Sequence, residues 1–156
     1  MAVTLDEITD ANRDAVLALC VAPGQEKFVA NVAKSLADAA RYPQARPWYR
    51  VIVADGRPVG FVMVSWDPEP QPPEIAGGYF LWRLLIDAQQ QGHGYGAAAV
   101  RLLAGLVRAE GAAELLVSYV PGEGDPEGFY RRLGFEPTGD VDPYGEIIMR
   151  LALSPP

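Results

Sequence analysis

The apolar residues of this chain fall into runs of two kinds: continuous stretches of β-branched and aromatic residues, and residues spaced three and four apart. Tyr49 to Ala54 is of the first kind, and Pro58 to Trp66 returns in the same style after Asp55-Gly56. An Asp-Gly pair between two such runs predicts a tight β-hairpin. A third run, from about Gly78 to Asp87, is nearly all apolar (Tyr79, Phe80, Leu81, Trp82, Leu84, Leu85, Ile86). It predicts a central strand buried on both faces. Helical spacing dominates elsewhere. Thr9 to Asn12 suits a helix start, and the run through Val16 and Leu19 stops before Pro23. A second helix is predicted over about Gln25 to Arg41, with Phe28, Val32, Leu36 and Ala39 on one apolar face and Glu26, Lys34 and Asp38 off it. A third is predicted over about Gly94 to Glu110. Val100, Leu103 and Val107, widened by Leu102 and Leu106, face the core, and Arg101, Gly105 and Arg108 form the opposite stripe. Glu114 to Tyr119 reads as a strand and Pro126 to Leu133 as a short helix stopped by Gly134. Two strands close the chain, near Phe135 to Gly139 and Glu146 to Leu153. The order is ααβββαβαββ, an α/β arrangement on a mixed sheet. There is no repeat. The stretch Asp67 to Pro73, with four prolines in seven residues, is too short to separate domains, so residues 1–156 read as one domain.

Composition narrows the function more than the fold. Of 156 residues, 49% are apolar and 21% charged, so the chain can bury a sizeable core. The net charge of −7 argues against broad contact with nucleic acid and is compatible with a small cationic substrate. No apolar stretch reaches the length of a membrane span, and the N-terminus lacks a basic segment followed by an apolar run, so the expected location is the cytoplasm. The one cysteine, Cys20, lies in an apolar stretch and reads as a small buried residue. A nucleophilic thiol would need a histidine partner, and the only histidine, His93, belongs to another motif. No metal site is expected.

That motif carries the chemistry. Leu84-Leu85-Ile86-Asp87-Ala88-Gln89-Gln90-Gln91-Gly92-His93-Gly94-Tyr95-Gly96 is a buried strand, a glycine-rich turn and a helix start. Glycines let backbone N–H groups turn outward together, and a new helix adds unpaired N–H groups and the positive end of its dipole. The combination binds phosphate. Gly92, Gly94 and Ala97 formally fit the dinucleotide pattern G-x-G-x-x-G/A, but that fingerprint belongs in a βαβ unit, whereas here helices and a hairpin come first. The Gly-Lys-Ser/Thr of an ATP-type loop is absent.

Gln91-Gly92-His93-Gly94-Tyr95-Gly96 resembles the Gln/Arg-x-x-Gly-x-Gly/Ala signature of the Gcn5-related N-acetyltransferases, the GNAT superfamily. Phe129-Tyr130-Arg131-Arg132-Leu133-Gly134-Phe135 is similar to that family's Phe-Tyr-x-x-x-Gly-Phe. The resemblance covers essentially the whole chain. It implies a single GNAT domain, a mixed and mostly antiparallel sheet flanked by helices, with acetyl-CoA as co-substrate. It further implies that backbone groups of Leu84, Leu85 and Ile86 hold the pantetheine arm between splayed strands. Gln91, Gly92, His93, Gly94, Tyr95 and Gly96 would hold the pyrophosphate through N–H groups, with the His93 side chain in solvent. Tyr130 stands at the position of the family's general acid.

The acceptor implied is a primary amine. The stretches Gly60-Phe61-Val62-Met63, Leu81-Trp82-Arg83 and Gly145-Glu146-Ile147-Ile148-Met149 are most similar to bacterial diamine and spermidine acetyltransferases. Asp67, Glu69 and Glu74 with Trp66 and Tyr79 are candidates to hold a polyamine's ammonium groups. An antibiotic amine and a protein N-terminus stay open as acceptors, as does a non-catalytic acetyl-CoA-binding module. Some relatives carry a carboxylate as base on the central strand where this chain has Trp82, followed by Arg83; neither takes a proton at neutral pH. Glu74, Asp87 and a bound water are the alternatives. Many relatives form dimers; a homodimer stays open, since no surface stripe identifies an interface.

Overall fold

The computed structural model describes residues 2–154. The chain opens with a strand that the hydropathy pattern did not announce, β1 (Val3–Asp6). Four alternating residues are too few to stand out, and only their antiparallel pairing with 51–54 makes them a strand. Helix α1 (Arg13–Leu17) is shorter than predicted, preceded by a turn in which the Thr9 N–H donates to Asn12 Oδ1 at 2.8 Å. Helix α2 (Val32–Arg41) starts seven residues later than predicted because Asn31 caps it, its Oδ1 accepting from the Lys34 N–H at 2.8 Å. Phe28, which shares the helical spacing, lies outside the helix. Cys20 is exposed beyond the end of α1, not buried within it. Asp38, expected off the apolar stripe, is buried.

Strands β2 (Pro47–Ala54) and β3 (Arg57–Trp66) form the predicted hairpin. Asp55 and Gly56 sit at φ +50° and +81°, the positive values a two-residue hairpin turn of this hand needs. Strand β4 (Tyr79–Ile86), helix α3 (Tyr95–Ala109), strand β5 (Glu114–Tyr119), helix α4 (Glu127–Leu133), and strands β6 (Glu136–Val141) and β7 (Ile147–Ala152) follow within one or two residues of expectation.

The seven strands form one sheet in the order β1-β2-β3-β4-β5-β7-β6. All neighbours are antiparallel except β4 and β5. Side-chain alternation divides the interior into two layers. Val62, Val64 and Leu81 pack with Val100, Leu103 and Val107 of α3 and Tyr130 of α4 on one face. Phe61, Met63 and Leu85 pack with Val16 of α1 and Val32 and Ala39 of α2 on the other. The core stripe of α3 is narrower than predicted. Gly96, Ala99, Val100, Leu103 and Val107 are buried, but Leu102 and Leu106 are 42% and 45% exposed, because nothing covers the outer side of this helix.

The register of β3 and β4 slips once: Met63 faces Arg83 but Val64 faces Leu81, so Trp82 is left over as a bulge. Trp82 packs into the α1–α2 layer, and Arg83 also points that way, reaching α2.

Leu103→Ala should cost about 2–5 kcal/mol of stability and Leu102→Ala less than about 0.5 kcal/mol, read from urea midpoints. Equal losses would mean that α3 buries a broader face than described.

Candidate functional site

Strands β4 and β5 pair through only two residue pairs, Phe80 with Leu116 and Leu81 with Val117. Beyond them β4 continues along β3 to Ile86, and β5 continues along β7 to Tyr119. The two parallel strands therefore diverge toward their carboxyl ends, where α/β sheets place their ligands. A cleft of about 930 Å³ opens there, walled by 81–86 of β4, 117–119 of β5 and Val120 just beyond it. From Trp82 onward β4 has no strand on this side, so its backbone edge is free to pair with an extended, amide-bearing ligand as a strand would. Leu84, Leu85 and Ile86 line the cleft. The Ile86 carbonyl, however, already accepts from Gln91 Nε2 at 3.0 Å.

The glycine-rich loop closes one end. Gly92 and Gly94 adopt φ +83° and +80°, and Gly94 is the N-cap of α3. The Ala98 N–H donates to the Gly94 carbonyl, while Tyr95, Gly96 and Ala97 bring first-turn N–H groups to the cleft wall. A Cβ at Gly96 would stand 3.3 Å from Phe129 Cζ and 3.5 Å from Ile86 Cγ1, so glycine is what lets α3, α4 and β4 meet there. Gln91, Gly92, Gly94, Tyr95 and Gly96 all line the cleft; His93 does not, its exposed ring standing 5.5 Å from that of Tyr95. The Gln91 side chain does not reach for a ligand. It makes a reciprocal amide pair with Gln25, at 2.8 and 3.3 Å, which ties the segment before α2 to the loop. A free backbone edge, a glycine cradle and a helix N-terminus suit a long phosphorylated thioester.

Tyr130 lines the same cleft from α4, on the α3–α4 face. Its ring packs edge-on against Phe129 and Phe135, with centroids at 5.3 and 5.4 Å. Burial pushes its phenol well above the ordinary tyrosine range. It therefore stays protonated throughout the physiological range.

The opposite face of the cleft carries charge. Arg83 Nη2 donates to Asp38 Oδ2 at 2.7 Å, and Lys34 Nζ donates to Asp38 Oδ1 at 2.7 Å. Burial lowers the Arg83 guanidinium's pKa, and Asp38 and Glu146 oppose that. Arg83 Nε is buried without a hydrogen-bond partner. Glu146, half-buried ahead of β7, accepts from Ser118 Oγ at 3.3 Å. Its carboxyl is raised above the usual range, first by burial and then by Asp142, while Ser118 and Arg83 pull the other way.

Several sequence expectations are redirected. Asp67, Trp66 and Tyr79 sit at the opposite, closed end of β4, and neither they nor Glu69 and Glu74 line the cleft. Asp87 is engaged elsewhere: its Oδ1 accepts from the Cys20 N–H at 3.0 Å and its Oδ2 from the Gln89 N–H at 3.3 Å. Conversely, Gln25, Phe28, Asp38 and Ser118 gained no role from sequence. Gln25, Asp38 and Ser118 reach the site through pairings that no local pattern encodes, and Phe28 by lining the cleft. Among the described residues, no group of three or more His, Cys, Asp or Glu could hold a metal ion, and no helix is long and apolar enough to cross a membrane.

Known proteins match this chain in sequence and in fold. The model of the acetyltransferase (GNAT) family matches residues 8–135. The spermine/spermidine N(1)-acetyltransferase of Bacillus subtilis (strain 168) is 28% identical over 150 residues, covering 96% of this chain and 97% of that protein. Among solved structures, aminoglycoside acetyltransferase AAC(6')-Ib in complex with coenzyme A superposes with a TM-score of 0.75 at 18% identity, covering 97% of this chain and 95% of that one. The ribosomal-protein-S18-alanine N-acetyltransferase from Escherichia coli gives a TM-score of 0.64 at 17% identity, covering 98% and 95%.

Gly94→Val should weaken acetyl-CoA binding at least about tenfold in calorimetry, the worth of one strong phosphate contact. Gly111→Val is the control: it has a similar positive φ and equally open surroundings, at the far end of α3. Equal affinities in the two variants would remove the loop from the binding site.

Proposed function

The chain belongs to the acetyltransferase (GNAT) family and uses acetyl-CoA as its acetyl donor; from that premise we propose that it acetylates a primary amine of a small polyamine such as spermidine, with Tyr130 as general acid. One observation carries the reading. The only two residue pairs that join β4 to β5 leave a cleft whose walls are a free backbone edge, a glycine cradle at a helix N-terminus and a buried tyrosine. Acetyl-CoA brings the acetyl group as a thioester, with a thiolate to be released.

A primary amine has a pKa near ~10, so only about one molecule in a thousand is neutral at pH 7. The protein must remove a proton from the acceptor and supply one to the departing sulfur. Tyr130 suits the second task. Its raised pKa keeps the phenol protonated at neutral pH, so its O–H is in place to donate toward the sulfur as negative charge develops there, with the proton made good from the attacking nitrogen. Leu84 and Leu85 offer backbone groups to the arm, and the loop from Gly92 to Gly96 offers N–H groups to the phosphates. Gln91 acts by fixing the loop rather than by touching the ligand.

The polyamine assignment is supported by the Bacillus relative and by the charge balance of the cleft. A bare arginine on the central strand would repel a polycation. Arg83 is not bare: Asp38 shares one negative charge between Arg83 and Lys34, each at 2.7 Å, and Glu146 supplies a second, so the four groups sum to zero. Trp82 and Phe28 add aromatic faces to the wall, where ammonium groups bind. The absence of a carboxylate at Trp82 favours a second reading, an acetyl-CoA-binding module without turnover.

The test is thiol release from acetyl-CoA in the presence of spermidine. Tyr130→Phe keeps the ring packing and removes only the hydroxyl. It should lower kcat by about 10²-fold or more while leaving acetyl-CoA affinity within about twofold. Unchanged kcat would remove Tyr130 as the acid. Acetyl-CoA binding with no thiol release on any amine would favour the module.

A further inference from the structure

We propose that Glu146 is the base of the acceptor site: its carboxylate, held by Ser118 and faced by Arg83, receives the acceptor's ammonium group and takes its proton. The assignment rests on the acetyl-transfer reading above and adds the residue which that reading lacks.

Four carboxylates bear on the cleft wall directly or through Arg83: Glu26, Asp38, Asp125 and Glu146. Asp38 has both oxygens occupied by cations, Lys34 and Arg83, each at 2.7 Å. Asp125 is committed to backbone, its Oδ1 accepting from the Glu127 N–H and its Oδ2 from the Gly122 N–H, both at 3.0 Å. Glu26 is exposed on the segment before α2. Glu146 has one oxygen engaged by a neutral hydroxyl, and its Oε2 carries no hydrogen bond from the protein.

Leu115, Val117 and Tyr119 of β5 face the α3–α4 layer, so Ser118 faces the other side. Ile148 pairs with Ser118, and alternation puts Glu146 on the same side as Ile148. Glu146 thus stands where the pairing of β5 with β7 ends, facing the gap that opens beyond Leu81 and Val117, with Arg83 on the far wall. Its backbone is fixed by the turn before it. The Glu146 N–H donates to Asp142 Oδ1 at 2.9 Å, and the Asp142 N–H donates to the Glu146 carbonyl at 2.9 Å. A carboxylate is therefore supplied at the splay from β7, while the central strand carries Trp82 and Arg83.

The proton balance closes. An acceptor R–NH3+ loses one proton to Glu146, which returns it to solvent between turnovers. The neutral amine forms the C–N bond as the C–S bond breaks. Tyr130 gives its proton to sulfur and regains the nitrogen's second proton as the amide forms. A carboxyl raised by burial and Asp142 is a better match for an ammonium proton than an ordinary one. The groups that face it are Asp142 from the β6–β7 turn, Ser118 from β5, and Arg83 from β4 with Asp38 and Lys34 of α2 behind it. A base must be deprotonated to act, so activity should fall as pH drops through this raised pKa.

The experiment measures thiol release by the full chain with spermidine and a panel of other amines across pH. Glu146→Gln should lower kcat at least about 100-fold and abolish the acidic limb of the kcat/KM profile, with acetyl-CoA affinity unchanged. Ser118→Ala removes a hydrogen bond that favours the ionised form, so its acidic limb should move to higher pH with most of the maximal rate retained. This second variant decides the matter if Glu146→Gln does not fold. A Glu146→Gln enzyme within threefold of the parent, or a limb unmoved in Ser118→Ala, overturns the assignment. A parent that acetylates some other amine overturns only the polyamine reading, and the same comparison is then made on that amine. A parent that binds acetyl-CoA and acetylates nothing overturns both.

Discussion

Two residue pairs hold β4 against β5, and the rest of the site follows from their number. With more pairing the sheet would be continuous and the cleft absent; with none the sheet would split. The bulge at Trp82 comes directly after the last pair, and bulges bend and overtwist the strand that carries them. Strand β5 meanwhile has β7 along its whole length. Each diverging strand therefore keeps one partner, and only the edges facing the gap go unpaired. Unpaired backbone in a protein interior is costly unless water or a ligand satisfies it. An amide-bearing arm laid along β4 satisfies it in the manner of a missing strand.

The same bulge explains the charge arrangement. By adding a residue it turns both Trp82 and Arg83 toward the α1–α2 layer. There the guanidinium is held by Asp38, which is also paired with Lys34. A buried arginine without a partner would be untenable, so the burial of Asp38 on α2 and the identity of Arg83 on β4 are one constraint. That constraint also positions α2 against the cleft. The segment before α2, tied to the glycine loop by Gln25 and Gln91, then passes over the cleft mouth with Phe28 in its wall.

Much of this was legible in the sequence wherever the signal was local. The Asp55-Gly56 turn, the apolar run of β4 and the glycine loop each announce themselves within a few residues. Where structure departs from the local pattern, the cause is a distant partner. Strand β1 exists only through its pairing with β2, and α2 begins late because Asn31 competes successfully with a helical stripe that includes Phe28. Leu102 and Leu106 look like core residues because periodicity cannot say whether a further layer covers a helix. The acidic cluster around Trp66 and Tyr79 looked like an amine site because sequence placed it at a strand end, without saying which end of β4 is open. Asp38 reads only as a polar residue off a helix stripe and Ser118 only as one residue of a strand, since their roles depend on partners 45 and 28 residues away.

The two sides of the sheet divide the chemistry. Tyr130 belongs to the α3–α4 layer, whereas Ser118, Arg83, Asp38 and Glu146 face the α1–α2 layer. In a continuous sheet two such groups would be separated by a wall of paired backbone and could not act on one bond. The splay removes that wall over the stretch where β4 and β5 part. With Tyr130 as acid and Glu146 as base, the proton to sulfur comes from one face and the ammonium proton leaves by the other, with the scissile bond in the plane between. The arrangement keeps the phenol in a dry layer, where its pKa stays high. It keeps the carboxylate at a half-solvated edge, where it can exchange protons with water. One gap in one sheet thus supplies both the opposite environments and the passage between them.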